Sequence, residues 1–274
     1  MIQYTYYPVR IPKVLWIMID EKLSWKVRIL PYLVLLAVLI LWELLAVRHV
    51  YPESSFPSPL SVAAGFREEI ETNRLQNDLI ASLFRVSVGF SLAVTIGIPI
   101  GLILGLRLSA RTALMPAVNF FRNLSPLAWI PFAILWFGIG DKPAVFLIFI
   151  SSVFPIVIAT VAAVANIPSV YFRAAKEYGL SGMSLLTKVT LPAIMPQVIT
   201  NLRVTAGVAW LVVVAAEMIA GKDGLGWAIW DDRNGLRLDL IVVEMIVIGL
   251  IGVVLDRLIL RLTRIPSVRW GYER

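Results

Sequence analysis

The sequence contains no cysteine and a single histidine, His49, among its 274 residues. Disulfides, thiolate metal sites and cysteine nucleophiles are therefore excluded, and a zinc site or a Ser-His-Asp arrangement has almost nothing to draw on. A G-x-x-x-x-G-K-[ST] phosphate loop is also missing, because Gly221-Lys222-Asp223 lacks the upstream glycine spacing and the hydroxyl. The chain is therefore expected to be no enzyme, to bind no metal or cofactor itself, and to take its energy from elsewhere.

Charged residues are scarce as well, at 16% of the chain, whereas hydrophobic residues make up 59%. A soluble domain of this size does not carry so much apolar surface, so the composition predicts an all-α polytopic membrane protein in contact with lipid. The formal net charge of +7 could suggest nucleic acid. Basic residues that flank membrane spans explain it better, and no nucleic-acid partner is expected.

The apolar runs predict about six transmembrane helices, since ~20 residues at 1.5 Å each cross the ~30 Å hydrocarbon core. The predicted spans are about 29–47, 86–106, 112–138, 143–164, 193–220 and 238–262. The third is interrupted by Pro116, Pro126 and Pro131. Broken helices occur at membrane depth only where the backbone faces protein or a water-filled cavity, so this segment is a candidate for lining a path.

Glycines mark one face of the second span: Gly97, Gly101 and Gly105 are spaced by four, and Gly89 precedes them. Small residues at this spacing let two helices approach closely in lipid. Before this span, a loop at 51–59 should lead into a polar helix on the membrane surface.

The loop charges indicate the orientation. With the N-terminus inside, the inner loops carry more Lys and Arg than the outer ones, so both termini should be cytoplasmic. Residues 1–28 form either an amphipathic interfacial helix or a poorly ordered basic tail, and they do not have the pattern of a cleaved signal peptide. Residues 29–264 then form the transmembrane domain, and 265–274 a basic cytoplasmic tail.

A polar stretch at 165–191, here called the elbow, interrupts the apolar sequence on the cytoplasmic side. It is expected to fold as helix, turn and helix. Pro168 suits a helix start, Gly179 suits a positive φ just past a helix end, and Ser181 can cap the next helix. A folded polar segment between two spans suggests a docking surface.

The elbow resembles the coupling loop of bacterial ABC importer permeases. Ala174 and Ala175 are followed by three residues and Gly179, and nine residues later by Val189-Thr190-Leu191-Pro192. This is the family's spacing. Arg173 departs from it, because the family usually has a glutamate there.

Further segments resemble permeases of the nitrate, sulfonate, taurine and bicarbonate group, and the similarity runs from about residue 30 to 265. These segments are 56–59, 82–86, 122–131, 134–139 and 202–210. The resemblance implies a type I importer core like that of the methionine and maltose permeases, in the bacterial inner membrane. It also implies a homodimer, a separate cytoplasmic ATPase that binds ATP and Mg²⁺, and an extracytoplasmic solute-binding protein.

The function so implied is import of a small anion by alternating access. A non-anionic nutrient, such as a vitamin or a precursor, is an alternative within the same class of importer. An ion-coupled secondary transporter is a further alternative. Inverted repeats would favour it, and the two halves of the sequence show no convincing repeat.

The resemblance also implies the residues that couple the chain to the ATPase, with Tyr171, Phe172 and Tyr178 as apolar anchors. The full set is Tyr171, Phe172, Arg173, Ala174, Ala175, Lys176, Glu177, Tyr178, Gly179, Leu180 and Ser181.

Candidates for the translocation path are polar or aromatic residues inside apolar runs, because a charge at membrane depth should face protein or water. They are Asn119, Arg122, Trp129, Phe132, Trp136, Arg203, Trp210 and Glu217. Glu217 is favoured as a structural partner of a basic residue. Arg122 and Arg203, both expected near cytoplasmic span ends, could attract an anion or brace helices. The aromatic stripe could pack helices or form a hydrophobic gate.

Overall fold

The computed structural model describes residues 25–48 and 56–264. Most of the predicted N-terminal interfacial segment, His49, most of the loop at 51–59 and the basic tail at 265–274 lie outside these ranges. Helix α1, Trp25–Val47, belongs to a compact unit that ends at Pro59. Within that unit the indole N–H of Trp42 donates to the carbonyl of Pro57 at 3.0 Å.

The second unit begins at Leu60 and, in the residues described, is built of helices joined by short turns. A 3-10 turn at Pro126–Trp129 separates α4 from α5, and a π-helical turn at Leu186–Thr190 leads from α8 into α9. The helices are α2 Pro59–Glu71, α3 Arg74–Leu106, α4 Leu108–Asn123, α5 Ile130–Phe137, α6 Asp141–Ala165, α7 Ser169–Glu177, α8 Gly182–Leu185, α9 Leu191–Ala220, α10 Leu225–Asn234 and α11 Leu238–Arg261.

Helices α3 and α6 form the closest pair in this unit, and the glycine face of α3 makes the contact. A Cβ added at Gly89 would lie 2.8 Å from the Cβ of Ile148, and one added at Gly101 would lie 2.5 Å from the Cβ of Thr160. Real Cβ contacts are not that short, so these positions admit glycine alone without a shift of the helices. The close packing predicted from the glycine spacing is confirmed.

Helix α9 covers the other side of α6 and completes the core. Near the elbow, Val164 of α6 packs with Ile194 and Val198 of α9. At the opposite end, Leu147 of α6 packs with Val212 and Ala216 of α9 and with α5. The core therefore runs along the whole length of α6, and the elbow joins its two main helices.

Five helices in the described ranges are long and apolar enough to cross a membrane. They are Ile29–Val47, Arg74–Leu106, Asp141–Ala165, Gly182–Ala220 and Leu238–Arg261. The sixth crossing of the predicted set, about 112–138, is made by a broken helix. Arg107 lies beside Leu186 at the elbow end, whereas the N–H of Gly140 donates to the carbonyl of Ala220 at the opposite end. Helices α4 and α5 therefore cover the distance in two pieces.

The break falls before Pro126, as its sequence requires. Leu124 and Ser125 have ψ of 127° and 126°, which is the extended conformation that a following proline favours. Pro116 stays inside α4, and Pro131 occupies the first turn of α5, where its missing N–H costs nothing. One of the three prolines thus breaks the segment.

The second span begins at Arg74, earlier than the predicted start at 86. The polar residues between these positions lower the local hydropathy, so the pattern does not show that the helix extends this far. They are tolerated in the helix because they face protein and not lipid. Asp78, Ser82 and Arg85 are all buried.

We predict that Gly101→Leu disrupts the α3–α6 contact, because the new side chain would occupy the space of Thr160. Overpacking of this kind costs about 1–3 kcal/mol or more. The purified variant should unfold at a lower temperature and give less monodisperse protein. Gly249→Leu is the matched control, since a Cβ there meets nothing within 4 Å. Equal losses in both variants would contradict the assigned packing.

Candidate functional site

The elbow turns on Gly179, which adopts a φ of +70°. The N–H of Leu180 donates to the carbonyl of Ala175 at 2.9 Å, and the N–H of Gly179 donates to that of Lys176 at 2.9 Å. This pair of bonds is the Schellman motif, which satisfies the free carbonyls at a helix end and favours glycine at the left-handed position. The positive φ predicted for Gly179 just past a helix end is confirmed.

The second half of the elbow begins at Ser181, as predicted. Its N–H donates to the side-chain oxygen of Ser184 at 3.1 Å, and the N–H of Ser184 donates to the carbonyl of Ser181 at 3.1 Å. Helix α8 then continues through the π-helical turn into α9. The helix, turn and helix expected from the sequence are all present.

The elbow presents a polar and aromatic surface while two of its residues hold it to the core. Tyr178 is 84% exposed. Ala175 is buried, and Phe172 packs against the cluster that contains Ile194. Phe172 therefore points inward, unlike the other two predicted anchors. The remaining predicted coupling residues on the surface are Tyr171, Arg173, Ala174, Lys176, Glu177, Gly179 and Ser181, and Leu180 is half-buried.

Arg122 lies in the last turn of α4, at the break in the crossing. Its neighbour Phe121 stacks on Phe154 with ring centroids 5.4 Å apart. Phe154 is near the middle of α6, which runs Asp141–Ala165. Arg122 is therefore at mid-depth and not near a cytoplasmic span end as expected, because the helix breaks halfway across. Its side chain is exposed, and it forms no ion pair with any residue of the described ranges.

The predicted aromatic stripe is present on one face beyond the break. The ring of Trp129 lies 6.1 Å from Phe132 and 6.3 Å from Trp136, and the latter two rings lie 5.7 Å apart. Phe132 and Trp136 remain 52% and 55% exposed, and Asn119 is exposed about one turn before Arg122. This face of α4 and α5 is thus open in the single chain.

Glu217 lies instead inside a buried ion-pair network at the end opposite the elbow. It is fully buried, as is Arg85 at 1% exposed. The guanidinium of Arg85 donates to Glu217 at 2.7 Å and also binds Asp141 at 2.7 Å and the carboxylate of Asp223. Glu217 accepts further hydrogen bonds from Ser82 at 2.8 Å and from the backbone N–H of Gly226 at 3.0 Å. The favoured interpretation, a structural pair with a basic residue, describes this geometry.

The network is built on one face of α3, where polar residues recur about once per turn. Asp78 accepts from the N–H of Gly224 at 2.7 Å, and Ser82 accepts from the N–H of Leu225 at 3.0 Å. Arg85 binds the carbonyl of Asp223 at 2.8 Å. These three side chains fix the turn between α9 and α10 through its backbone.

Two further arginines extend the network over the same end. Arg74 binds Asp232 at 2.8 Å and Asp231 at 3.0 Å, while Arg237 binds Glu68 at 2.7 Å and Asp239 at 2.9 Å. Burial raises the pKa of Asp232 above its usual range, whereas the hydrogen bond from Arg237 lowers the pKa of the exposed Glu68.

Arg203 and Trp210 connect α9 to α11. The guanidinium of Arg203 binds both carboxylate oxygens of Asp256, with one contact at 2.6 Å. This fits the bracing alternative and neutralises a charge that would otherwise attract an anion. Trp210 is buried, and its indole N–H donates to the carbonyl of Ile248 at 3.0 Å.

The residues at the centre of the buried network were not among the predicted site residues. Asp78, Ser82 and Arg85 lie before the predicted start of the second span. Their spacing, with Arg74, follows one helical face and could have indicated that the helix extends to residue 74.

The model of the family "Binding-protein-dependent transport system inner membrane component" matches residues 97–266. The chain belongs to this family. It is therefore a multi-pass component of the inner membrane, and its elbow, described above, lies inside the matched region.

Similar proteins agree with this assignment and with the expected group of permeases. A putative ABC transporter permease of Methanocaldococcus jannaschii is 36% identical over 87% of this chain and 91% of its own length. The bicarbonate transport system permease protein CmpB of Synechococcus elongatus is 36% identical over 86% and 88%. The nitrate import permease protein NrtB of a Synechocystis species is 33% identical over 84% and 86%.

The fold resembles a solved structure of the MetNI methionine ABC transporter in inward-facing conformations. The TM-score is 0.56 at 20% identity, and the match covers 68% of this chain and 94% of the other. The expected type I importer fold is thus confirmed.

We predict that Arg85→Met destabilises the protein by about 3–5 kcal/mol, because it leaves Glu217 buried without its cation. Thermal unfolding of the purified chain measures the loss. Arg67→Met is the matched control, since Arg67 pairs with Glu71 on the surface and such pairs contribute about 0–1 kcal/mol. A double variant, Arg85→Met with Glu217→Met, should recover part of the loss. Equal unfolding temperatures for Arg85→Met and Arg67→Met would contradict the role of the network.

Proposed function

We propose that this chain is the permease subunit of an ATP-binding-cassette importer for a small anion. Two copies would form the translocation path, a separate ATPase would bind each elbow in the cytoplasm, and an extracytoplasmic protein would deliver the solute. The family membership and the surface of the elbow support this assembly. The alternatives, a non-anionic nutrient and an ion-coupled carrier, are outcomes of the experiments below.

The elbow is suited to transmit movement. Its surface offers the aromatic side chains of Tyr171 and Tyr178 with the charges of Arg173, Lys176 and Glu177. Its inner side is fixed, because Ala175 is buried and Phe172 packs against the core. A force applied by the ATPase would therefore act on α6 and α9 as well as on the elbow, and alternating access would follow from their movement.

The position of Arg122 is the observation that supports an anionic substrate. A cation at the middle of a membrane costs about 2.5–3.5 kcal/mol on insertion scales, so it must face water or protein. It lies where the crossing helix breaks, and breaks at this depth line cavities or are covered by protein. A guanidinium binds the paired oxygens of nitrate, bicarbonate or a sulfonate through two parallel hydrogen bonds. Arg122 would thus attract the anion halfway across.

We predict that Gly179→Val uncouples transport from ATP hydrolysis while leaving insertion intact. Valine is strained at a φ of +70°, and the Schellman turn would be lost. Uptake by the reconstituted importer should fall to background.

Gly179→Asn is the matched control, since asparagine tolerates the left-handed conformation and no atom lies within 4 Å of the new Cβ. It should retain most uptake. Unimpaired uptake by Gly179→Val would overturn the coupling role, and uptake without any bound ATPase would favour an ion-coupled carrier.

We predict that Arg122→Gln lowers anion uptake about 10-fold or more, because a charge-assisted hydrogen bond contributes about 1.5–3 kcal/mol. Uptake of nitrate, bicarbonate and taurine into proteoliposomes is the measurement. Arg111→Gln is the control, since Arg111 is also exposed but lies in the first turn of α4. Equal uptake by wild type and Arg122→Gln, or uptake of neutral solutes alone, would contradict the anionic substrate without affecting the elbow.

A further inference from the structure

The carboxyl group of Glu244, on α11, is fully buried. Neither of its oxygens has a hydrogen-bond partner in the described part of the chain. Glu217, which is equally buried, shows the contrast, since it is bound by Arg85 and by the N–H of Gly226. An ionised carboxylate without a partner is too costly to bury, and such a group takes up a proton instead.

The charges around Glu244 make ionisation still less favourable. The groups that act on it are Glu69 from α2, Asp78 and Arg74 from α3, and Asp232 from α10. Each of the three acids is at most 4% exposed. Each also has one carboxylate oxygen that accepts no hydrogen bond within the described ranges. Like charges at this depth oppose a further negative charge.

Arg74 cannot neutralise Glu244, because its guanidinium is already shared. It lies 2.8–3.9 Å from four other carboxylates, those of Glu69, Asp78, Asp231 and Asp232. The neighbouring cation, Arg237, is bound to Glu68 and Asp239. Around Arg74, five acids including Glu244 therefore face one cation.

A metal ion does not fit this cluster. The described residues contain no group of His, Asp or Glu arranged to hold one. The carboxylates are turned instead toward Arg74 and, in the case of Asp78, toward the N–H of Gly224. The ligand that the geometry accommodates is a proton.

We propose that Glu244 is a proton-binding site that is occupied at neutral pH, and that loss of this proton loosens the packing of α11 against α2 and α10. Close helix contacts couple the loss of the proton to the separation of the helices. A Cβ added at Gly65 of α2 would lie 2.9 Å from Leu240 and 3.7 Å from Val243, so water can reach an ionised Glu244 only if the helices separate. The end opposite the elbow would then be less stable at alkaline pH.

The sign follows from proton counting. An exposed glutamate releases its proton near pH 4. Above that pH the unfolded chain has lost the proton of Glu244, whereas the folded chain still holds it. The folded state therefore binds more protons than the unfolded state, and the stability it gains falls as pH rises.

Thermal unfolding of the purified full-length chain, followed by tryptophan fluorescence from about pH 4 to about pH 9, tests the proposal. Glu244→Gln keeps the shape of the neutral carboxyl group but cannot ionise. We expect the unfolding temperatures of the two proteins to match at about pH 4, where the unfolded wild type keeps the proton as well. As the pH rises, the unfolding temperature of Glu244→Gln should exceed that of wild type, by about 2–4 °C or more at the alkaline end. Glu71→Gln, on the exposed surface of α2, should follow wild type throughout.

An infrared spectrum supplies an independent measurement, which remains informative if Glu244→Gln fails to fold. Wild type at neutral pH should show the carbonyl band of a neutral carboxylic acid, and the band should disappear in Glu244→Gln. The absence of any such band in wild type would overturn the proposal. An unchanged pH profile in Glu244→Gln, or stabilisation by Na⁺ that K⁺ does not reproduce, would overturn it as well.

Discussion

The ion pair between Arg85 and Glu217 is the interaction on which the end opposite the elbow depends. A buried charge pair is stable only when its remaining hydrogen-bonding groups are also satisfied. Ser82 and the N–H of Gly226 complete the shell of Glu217, and Asp223 and its carbonyl complete that of Arg85. Because these groups come from α3, α9, the turn before α10 and the first turn of α10 itself, the pair fixes the positions of all four.

The two ends of the bundle differ in the way they are held. Opposite the elbow, the helices are held by buried ion pairs and backbone hydrogen bonds. These interactions are directional, so they specify one arrangement of the helices. At the elbow, apolar contacts such as those of Phe172 with the α6–α9 core dominate, and they depend less on orientation. Glycine contacts at Gly89 and Gly101 join α3 to α6 along the length between. Movement produced at the elbow would therefore pivot about the opposite end.

Much of this architecture could be predicted from the sequence, because its signals are local or periodic. The glycine spacing in α3 predicted a close contact with another helix, without identifying α6 as its partner. The position of Gly179 predicted a positive φ just past a helix end. The predicted start of α3 was wrong, although the helical spacing of its polar residues was a usable signal, and the partners of Glu217 could not be predicted. Hydropathy treats Arg85 as a reason to end a span, whereas its burial depends on Asp141, Asp223 and Glu217 from distant parts of the chain. A single sequence does not reveal such pairings.

In the broken crossing, the conformational effect of a single proline decides where a charged side chain lies in the membrane. Pro126 requires an extended residue before it, which ends α4 at Asn123. The break falls at mid-depth because Phe121 is stacked on Phe154 in the middle of α6. The side chain left at the break is Arg122, the residue that membrane energetics would exclude from lipid. A cation is tolerated there only if water or another protein surface covers that face. The position of one proline thus argues for a path that a single chain does not enclose.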